Sequence, residues 1–89
     1  MTDMQALLDE REKTHGRFAD VAEAFAGGIR DVVTAHVHYR LSDTQFLALC
    51  MFEGKKARIL AGDPYCIDHW RDIAGYALLV VRELEGRGE

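Results

Sequence analysis

The chain has 89 residues, of which 48% are hydrophobic, and its net charge at pH 7 is −4. Its length predicts a single domain over residues 1–89. The mild negative charge argues against binding along a long nucleic acid, which requires a basic face, but it permits a local basic pocket for a small anion. So large a hydrophobic fraction exceeds what a small monomer buries, and we therefore expect a homo-oligomer.

No run of residues is apolar for long enough to span a membrane, and no secretory signal peptide is visible, so no membrane partner is predicted. Cys50 and Cys66 stand in apolar surroundings, which favours two buried thiols over a disulfide or a zinc site. These features indicate a soluble cytoplasmic protein.

The spacing of apolar residues predicts an all-α protein with three main helices and an N-terminal helix. The N-terminal helix covers about residues 3–13, and Gly16 is placed to stop it. The first main helix starts near Phe18 and contains Gly27 and Gly28. Two glycines inside a helix cost about 1 kcal/mol each relative to alanine. They therefore predict a kink, a break or the close approach of another backbone.

The alternation of residues 36–39 permits a short extended piece before the second main helix. Ser42 and Gln45 form a capping box at the start of that helix, and Gly62 ends it. The last helix covers about residues 67–84 and is apolar almost all round. Such a helix is buried on more than one side, so it is either a central helix or part of a subunit interface.

Three cations near the end of the second main helix offer a site for phosphate. Lys55 and Lys56 point in different directions, so at most one of them is expected to share a site with Arg58. Arg58 can bind phosphate through two hydrogen bonds. Cations at this end of a helix are also favoured by the helix dipole without any ligand, which is the simpler explanation.

Three carboxylates near the same turn are candidate magnesium ligands. Asp68 and Asp72 are four residues apart and share one face of the last helix, and magnesium typically takes one or two carboxylates with phosphate and water. Glu53 lies in an apolar stripe, where a buried carboxylate needs a partner or a metal. The alternatives are simpler: Asp68 is stabilised by the helix dipole, Asp72 pairs with Arg71 or with a cation elsewhere, and Glu53 pairs with Lys55 or Lys56.

Tyr76 lies one turn beyond Asp72 and either stacks on a base or forms a hydrogen bond within a core, which is the commoner case. Gly75 in mid-helix indicates close packing against another helix, and Trp70 is expected to be a packing anchor. No Ser-His-Asp elbow, Walker loop, dinucleotide fingerprint or paired CxxC motif is present, so nucleophilic catalysis has no support.

The runs K-x-A-R-I-x-x-G and D-x-x-x-D-I-A-G-Y-A-L-L resemble a family of short phage and prophage proteins that are compared with MazG. The matching positions are Lys55, Ala57, Arg58, Ile59, Gly62, Asp68, Asp72, Ile73, Ala74, Gly75, Tyr76 and Ala77, with Lys56 as the neighbouring alternative to Lys55. The stretch LLDEREKTHGRF, residues 7–18, also looks like that family's N-terminal segment.

MazG-like proteins are all-α, oligomeric nucleoside triphosphate pyrophosphatases, so the resemblance implies a MazG-like helical bundle with Mg²⁺ as a candidate cofactor. Their magnesium is held by an E-E-x-x-E run and an E-x-x-D pair. This chain has only Glu53 where several carboxylates are expected, and Asp68 and Asp72 are four apart instead of three. Fewer metal ligands beside retained cations favour binding over turnover.

Three functions are consistent with these features, and the sequence leaves open whether the protein is an enzyme. The first is a phage-type nucleotide-binding protein that captures a phosphate-bearing nucleotide at the helix corner and sequesters a defence signal. In it the cations hold phosphate, and Tyr76 contacts the base or sugar. The second is a magnesium-dependent MazG-like pyrophosphatase. The third is a helical protein–protein interaction module without a small ligand.

Overall fold

A computed structural model of the protein describes residues 2–86. Within this range the chain forms α1 (Asp3–His15), α2 (Phe18–Val37), α3 (Asp43–Ala61) and α4 (Ile67–Gly86), and no strand. The all-α prediction, with three main helices after an N-terminal one, is therefore confirmed. None of the helices in the described range is long and apolar enough to cross a membrane.

The helix ends follow from local residues. Thr2 Oγ1 accepts the Gln5 N–H at 3.1 Å to start α1, and Gly16 ends it with a φ of 82°. The predicted capping box at α3 is present, because the Ser42 and Gln45 side chains each accept the other residue's backbone N–H. Gly62 follows α3 as predicted.

The predicted break in α2 and the extended piece before α3 are wrong. α2 runs unbroken through its glycine pair, because a continuous helix satisfies their backbone hydrogen bonds and the tertiary contacts of α2 outweigh the propensity cost. The extended piece at residues 36–39 is absent: α2 continues to Val37, and the chain then turns at Tyr39, which has a φ of 58°. In both places, packing and the geometry of the helix end decide the backbone conformation, and the local sequence pattern does not.

α3 is the middle helix of the fold. It packs against α2 most extensively, against α4 next, and against α1 least, whereas α2 and α4 do not contact each other. The interpretation of the last helix as central is therefore wrong, because periodicity shows which faces are apolar but not how many neighbours a helix has. α4 packs on α3 and reaches the end of α1 through His69, and an interface role for it stays a prediction.

The outward side of α4 carries an apolar stripe, which we call the α4 stripe. Its members are all exposed and follow helical spacing: Ile67, Trp70, Ala74, Leu78 and Val81. Trp70 is 52% exposed, and its indole N–H donates to the Pro64 carbonyl at 2.8 Å, so within one chain it anchors the turn and not a core.

A single chain encloses almost no core. Ala48 and Ala57 are the only apolar side chains buried among the described residues. The radius of gyration is 15.4 Å, whereas a compact domain of this length has about 12 Å. The accessible surface is 6672 Å², against about 5,200 Å² for a folded monomer of this mass. About 1,400 Å² of surface is therefore left over.

Two turns meet back to back at one end of the fold. The Asp63 N–H donates to the Thr14 carbonyl at 3.0 Å, joining the α3–α4 turn to the end of α1. Glycine is required at both contacts, because a Cβ at Gly16 would overlap the Ala61 carbonyl and a Cβ at Gly62 would overlap that of Thr14. This junction fixes where the cationic end of α3 lies relative to α1 and α4.

Candidate functional site

Lys55 and Asp72 form an ion pair between α3 and α4. The Lys55 Nζ lies 2.9 Å from the Asp72 Oδ2, with the lysine side chain 12% exposed and the aspartate 49%. The hydrogen bond from Lys55, followed by its charge, lowers the pKa of Asp72. The partner of Asp72 is thus a cation on another helix and not its neighbour Arg71.

Tyr76 shares a cavity with Asp72. This cavity, which we call the α4 cavity, is open, has a volume of about 360 Å³, and is lined by Asp72, Gly75, Tyr76 and Leu79. Gly75 does not pack closely against another helix within the chain, because a Cβ there would meet nothing within 4 Å. Asp72 and Tyr76, two of the residues predicted for the site, therefore line one cavity, and Lys55 is joined to this pair through its ion pair with Asp72.

Glu53 and Lys56 lie elsewhere, against α2. The Lys56 Nζ is 2.7 Å from Glu53 Oε2, a buried oxygen that receives no well-directed hydrogen bond and is neutralised by this ammonium. A Cβ at Gly28 would overlap the Glu53 carboxylate and come within 3.0 Å of the Lys56 Nζ. Gly28 thus permits the close approach of side chains, whereas the sequence had suggested a backbone.

The third candidate metal ligand, Asp68, is on the surface, where it faces Arg71 at 3.8 Å. Exposed pairs of this kind contribute about 0–1 kcal/mol. Among residues 2–86, no three His, Cys, Asp or Glu side chains are grouped so as to hold a metal ion. The described chain therefore does not bring Glu53, Asp68 and Asp72 together at one metal site, and Mg²⁺ binding stays a prediction.

Arg58 lines a different cavity, between α1, the start of α2 and α3. We call it the basic cavity; its volume is about 360 Å³, and its lining includes Leu8, Arg11, Glu12, His15, Phe18 and Arg58. The Arg58 charge contributes to the lowered pKa values of both His15 and Asp72, so its field reaches both cavities. Arg58 does not share a cavity lining with Lys55 or Lys56.

Sequence reasoning missed Arg11, His15 and His69. Arg11 and His15 are four residues apart on one face of α1, which was the available signal. His69 is 2% exposed and donates from Nε2 to the Thr14 carbonyl at 2.9 Å. Cys50 and Cys66 are free thiols, each half-buried, and burial raises the pKa of Cys50.

The fold and the two cavities define a small all-α protein with clustered charges at one end. No protein-family model matches the chain, and no curated protein or solved structure matches it. The likeness to MazG-like proteins therefore rests on the sequence motifs alone.

Proposed function

We propose that the protein is a homo-oligomer that binds a phosphate-bearing nucleotide at the α4 cavity. The observation that supports this is Asp72, which lines the cavity beside Tyr76 and is paired with the Lys55 ammonium at 2.9 Å. An ammonium group has three donors, so Lys55 can contact a phosphate oxygen while Asp72 orients it. Tyr76 then faces the base or sugar. The phage-type role in sequestering a nucleotide signal follows from the resemblance and stays a prediction, as does the cytoplasmic location.

Self-association is supported by the surface area left over in one chain. The excess of about 1,400 Å² exceeds the about 800 Å² that each partner buries in a standard interface. The α4 stripe is the apolar surface best placed to supply it, because α4 lies at the edge of the fold and the members of the stripe are all exposed. A second copy on α4 would also narrow the open α4 cavity, so the nucleotide would lie near the subunit boundary.

The magnesium-dependent pyrophosphatase has weaker support. Lys55 and Lys56 neutralise Asp72 and Glu53, so these carboxylates have less negative charge to offer a metal ion. Binding without turnover therefore fits the geometry better than hydrolysis.

The exposed apolar surface favours one other function, a helical interaction module that needs no small ligand. Large apolar patches rimmed by polar residues mark protein–protein contacts. This alternative predicts that nucleotides leave the thermal stability unchanged while self-association persists.

Thermal unfolding with a panel of nucleotides tests the proposal. The panel contains nucleoside triphosphates, diphosphates and cyclic dinucleotides, each with and without Mg²⁺, and chromatography of the mixture follows. A ligand present at about 100 times its Kd stabilises the native state by about 2.7 kcal/mol. A stabilising nucleotide recovered intact supports binding, one recovered as monophosphate and pyrophosphate supports the enzyme, and no shift supports the interaction module.

Two variants locate the ligand. Lys55→Gln and Tyr76→Ala should each reduce the nucleotide-induced shift, whereas Lys13→Gln should preserve it. Lys13 is a suitable control because within residues 2–86 its ion pair is with Glu10, on the exposed surface of α1. Equal shifts in all three variants would place the nucleotide outside the α4 cavity.

A further inference from the structure

The basic cavity holds cations that lack carboxylate partners. Within residues 2–86, neither Arg11 nor Arg58 has a carboxylate within ion-pair distance, whereas Lys55 and Lys56 both do. Among the described residues of the lining, Glu12 supplies the one carboxylate, so two permanent cations face one anion. Guanidinium groups bind anions with several acceptor oxygens through paired hydrogen bonds. The charges therefore suit an anion that the protein itself does not supply.

The pKa of His15 responds to the charges that line this cavity. Burial, then the charge of Arg58, lowers its pKa, with smaller contributions from the charges of His69 and Arg11. Glu12 is the acidic group in the same lining, and the lining residues from α2, Phe18 and Val21, are apolar. A bound anion would oppose the two arginines, so it should raise the pKa of His15.

The start of α2 adds a second attraction for an anion. Its N-cap residue, Arg17, makes no side-chain hydrogen bond to the helix, so the first-turn N–H groups receive no acceptor from the cap. The residues on either side of it, Gly16 and Phe18, line the cavity. Phosphate groups bind readily at such helix N-termini.

The apolar residues of the lining indicate which group accompanies the anion in the ligand. Phe18 is 86% exposed although it belongs to the lining, and Leu8 stands beside it in the same wall. An exposed aromatic face next to cations suits a planar ring attached to the anion. A volume of about 360 Å³ is within the range of small-molecule pockets.

We propose that the basic cavity binds a phosphate monoester through Arg11 and Arg58, with the ligand's aromatic ring against Phe18. This site is separate from the α4 cavity and does not depend on it. Inorganic phosphate and adenosine monophosphate distinguish a bare anion from one that carries a ring.

The experiment is a titration of the full chain with each probe in metal-free buffer, followed by NMR of the His15 imidazole and of the backbone amides. We expect saturable shifts, a raised pKa of His15, and tighter binding of adenosine monophosphate than of phosphate. Arg58→Gln should lower the affinity for both probes by about tenfold, because it removes a bidentate charged contact. Phe18→Ala should lower the affinity for adenosine monophosphate and leave that for phosphate unchanged.

Arg82→Gln is the matched control, since Arg82 is an exposed arginine of α4 outside this cavity. Amide spectra of each variant establish that it is folded. The proposal is overturned if no probe saturates, if Arg58→Gln binds as the parent does, or if Arg82→Gln loses as much affinity, which would indicate an adventitious ion only. Loss of this binding in Lys55→Gln or Tyr76→Ala would also overturn it, and would instead assign the nucleotide to the α4 cavity.

Discussion

His69 donates a hydrogen bond from Nε2 to the main-chain carbonyl of Thr14, which lies 55 residues earlier in the chain. The carbonyl can only accept, so the Nε2 nitrogen carries the proton. The same ring meets His15 edge-on, with centroids 5.0 Å apart. One buried side chain of α4 thus reaches across to the end of α1.

Replacing His69 with alanine should lower the free energy of unfolding by about 2–3 kcal/mol, since it empties a buried position and removes a long-range hydrogen bond. The Asp63 N–H would still satisfy the Thr14 carbonyl, which limits the loss. His38→Ala, at an exposed position, should change stability by less than about 0.5 kcal/mol. Urea unfolding at one fixed protein concentration measures both, and equal midpoints would contradict the structural role of His69.

The adjacent glycines of α2 should respond in opposite ways to alanine. Gly27→Ala meets nothing within 4 Å and should stabilise the helix by about 0.5–1 kcal/mol. Gly28→Ala should lose that gain, because its Cβ displaces the Glu53 carboxylate from beside Lys56. Thermal unfolding of the two variants makes the comparison. A stabilisation by Gly28→Ala equal to that of Gly27→Ala would show that the Glu53 position is not constrained.

The free energy of unfolding should decrease in two windows as the pH is lowered. The lowered pKa of His15 means that the unfolded chain binds the proton more readily, so stability declines as pH drops below about 6.5 and levels off below the folded pKa. The lowered pKa of Asp72 gives stability that is present above about 3.8 and is lost as pH falls through its folded pKa.

Denaturant midpoints measured in phosphate-free buffer across this range test both windows. His15→Gln should flatten the upper window and leave the lower one. Asp72→Asn should do the reverse. A single transition unaffected by either variant would assign the pH dependence to other groups.

Leu78→Asp should dissociate the proposed oligomer, because it places a charge in the middle of the α4 stripe. Leu47→Asp is the matched control, since Leu47 is 59% exposed on α3, outside that stripe. Sedimentation velocity gives the mass of each. The parent chain should also melt at a higher temperature as its concentration rises. A monomeric parent with a concentration-independent Tm would refute self-association even if Leu78→Asp failed to fold.

Local chemistry made much of the fold predictable. The capping box of Ser42 and Gln45 and the stop at Gly62 depend on residues close together in sequence, so a pattern reveals them. The position of α4 at the edge was not predictable, because an apolar helix looks the same whether its partner is another helix of the chain or another molecule.

The candidate site likewise has a part that the sequence could predict and a part that it could not. Lys55, Asp72 and Tyr76 are close to one turn and could be grouped from sequence, although the pairing of Lys55 with Asp72 needed the packing of two helices. The junction at Gly16 and Gly62 brings Arg11 and His15 into the same cavity lining as Arg58. No periodicity in the sequence reveals that junction.

The order of the helices has a consequence for how the chain folds. α2 packs on α3, and α3 packs on α4, so the most extensive contacts join neighbours along the chain and close only short loops. Contacts of this kind form quickly. The junction of Thr14 with Asp63 and His69 spans most of the sequence and has the largest loop-closure cost. We therefore expect α3 to pack with α2 and with α4 early, and α1 to dock only after α3 and α4 have come together.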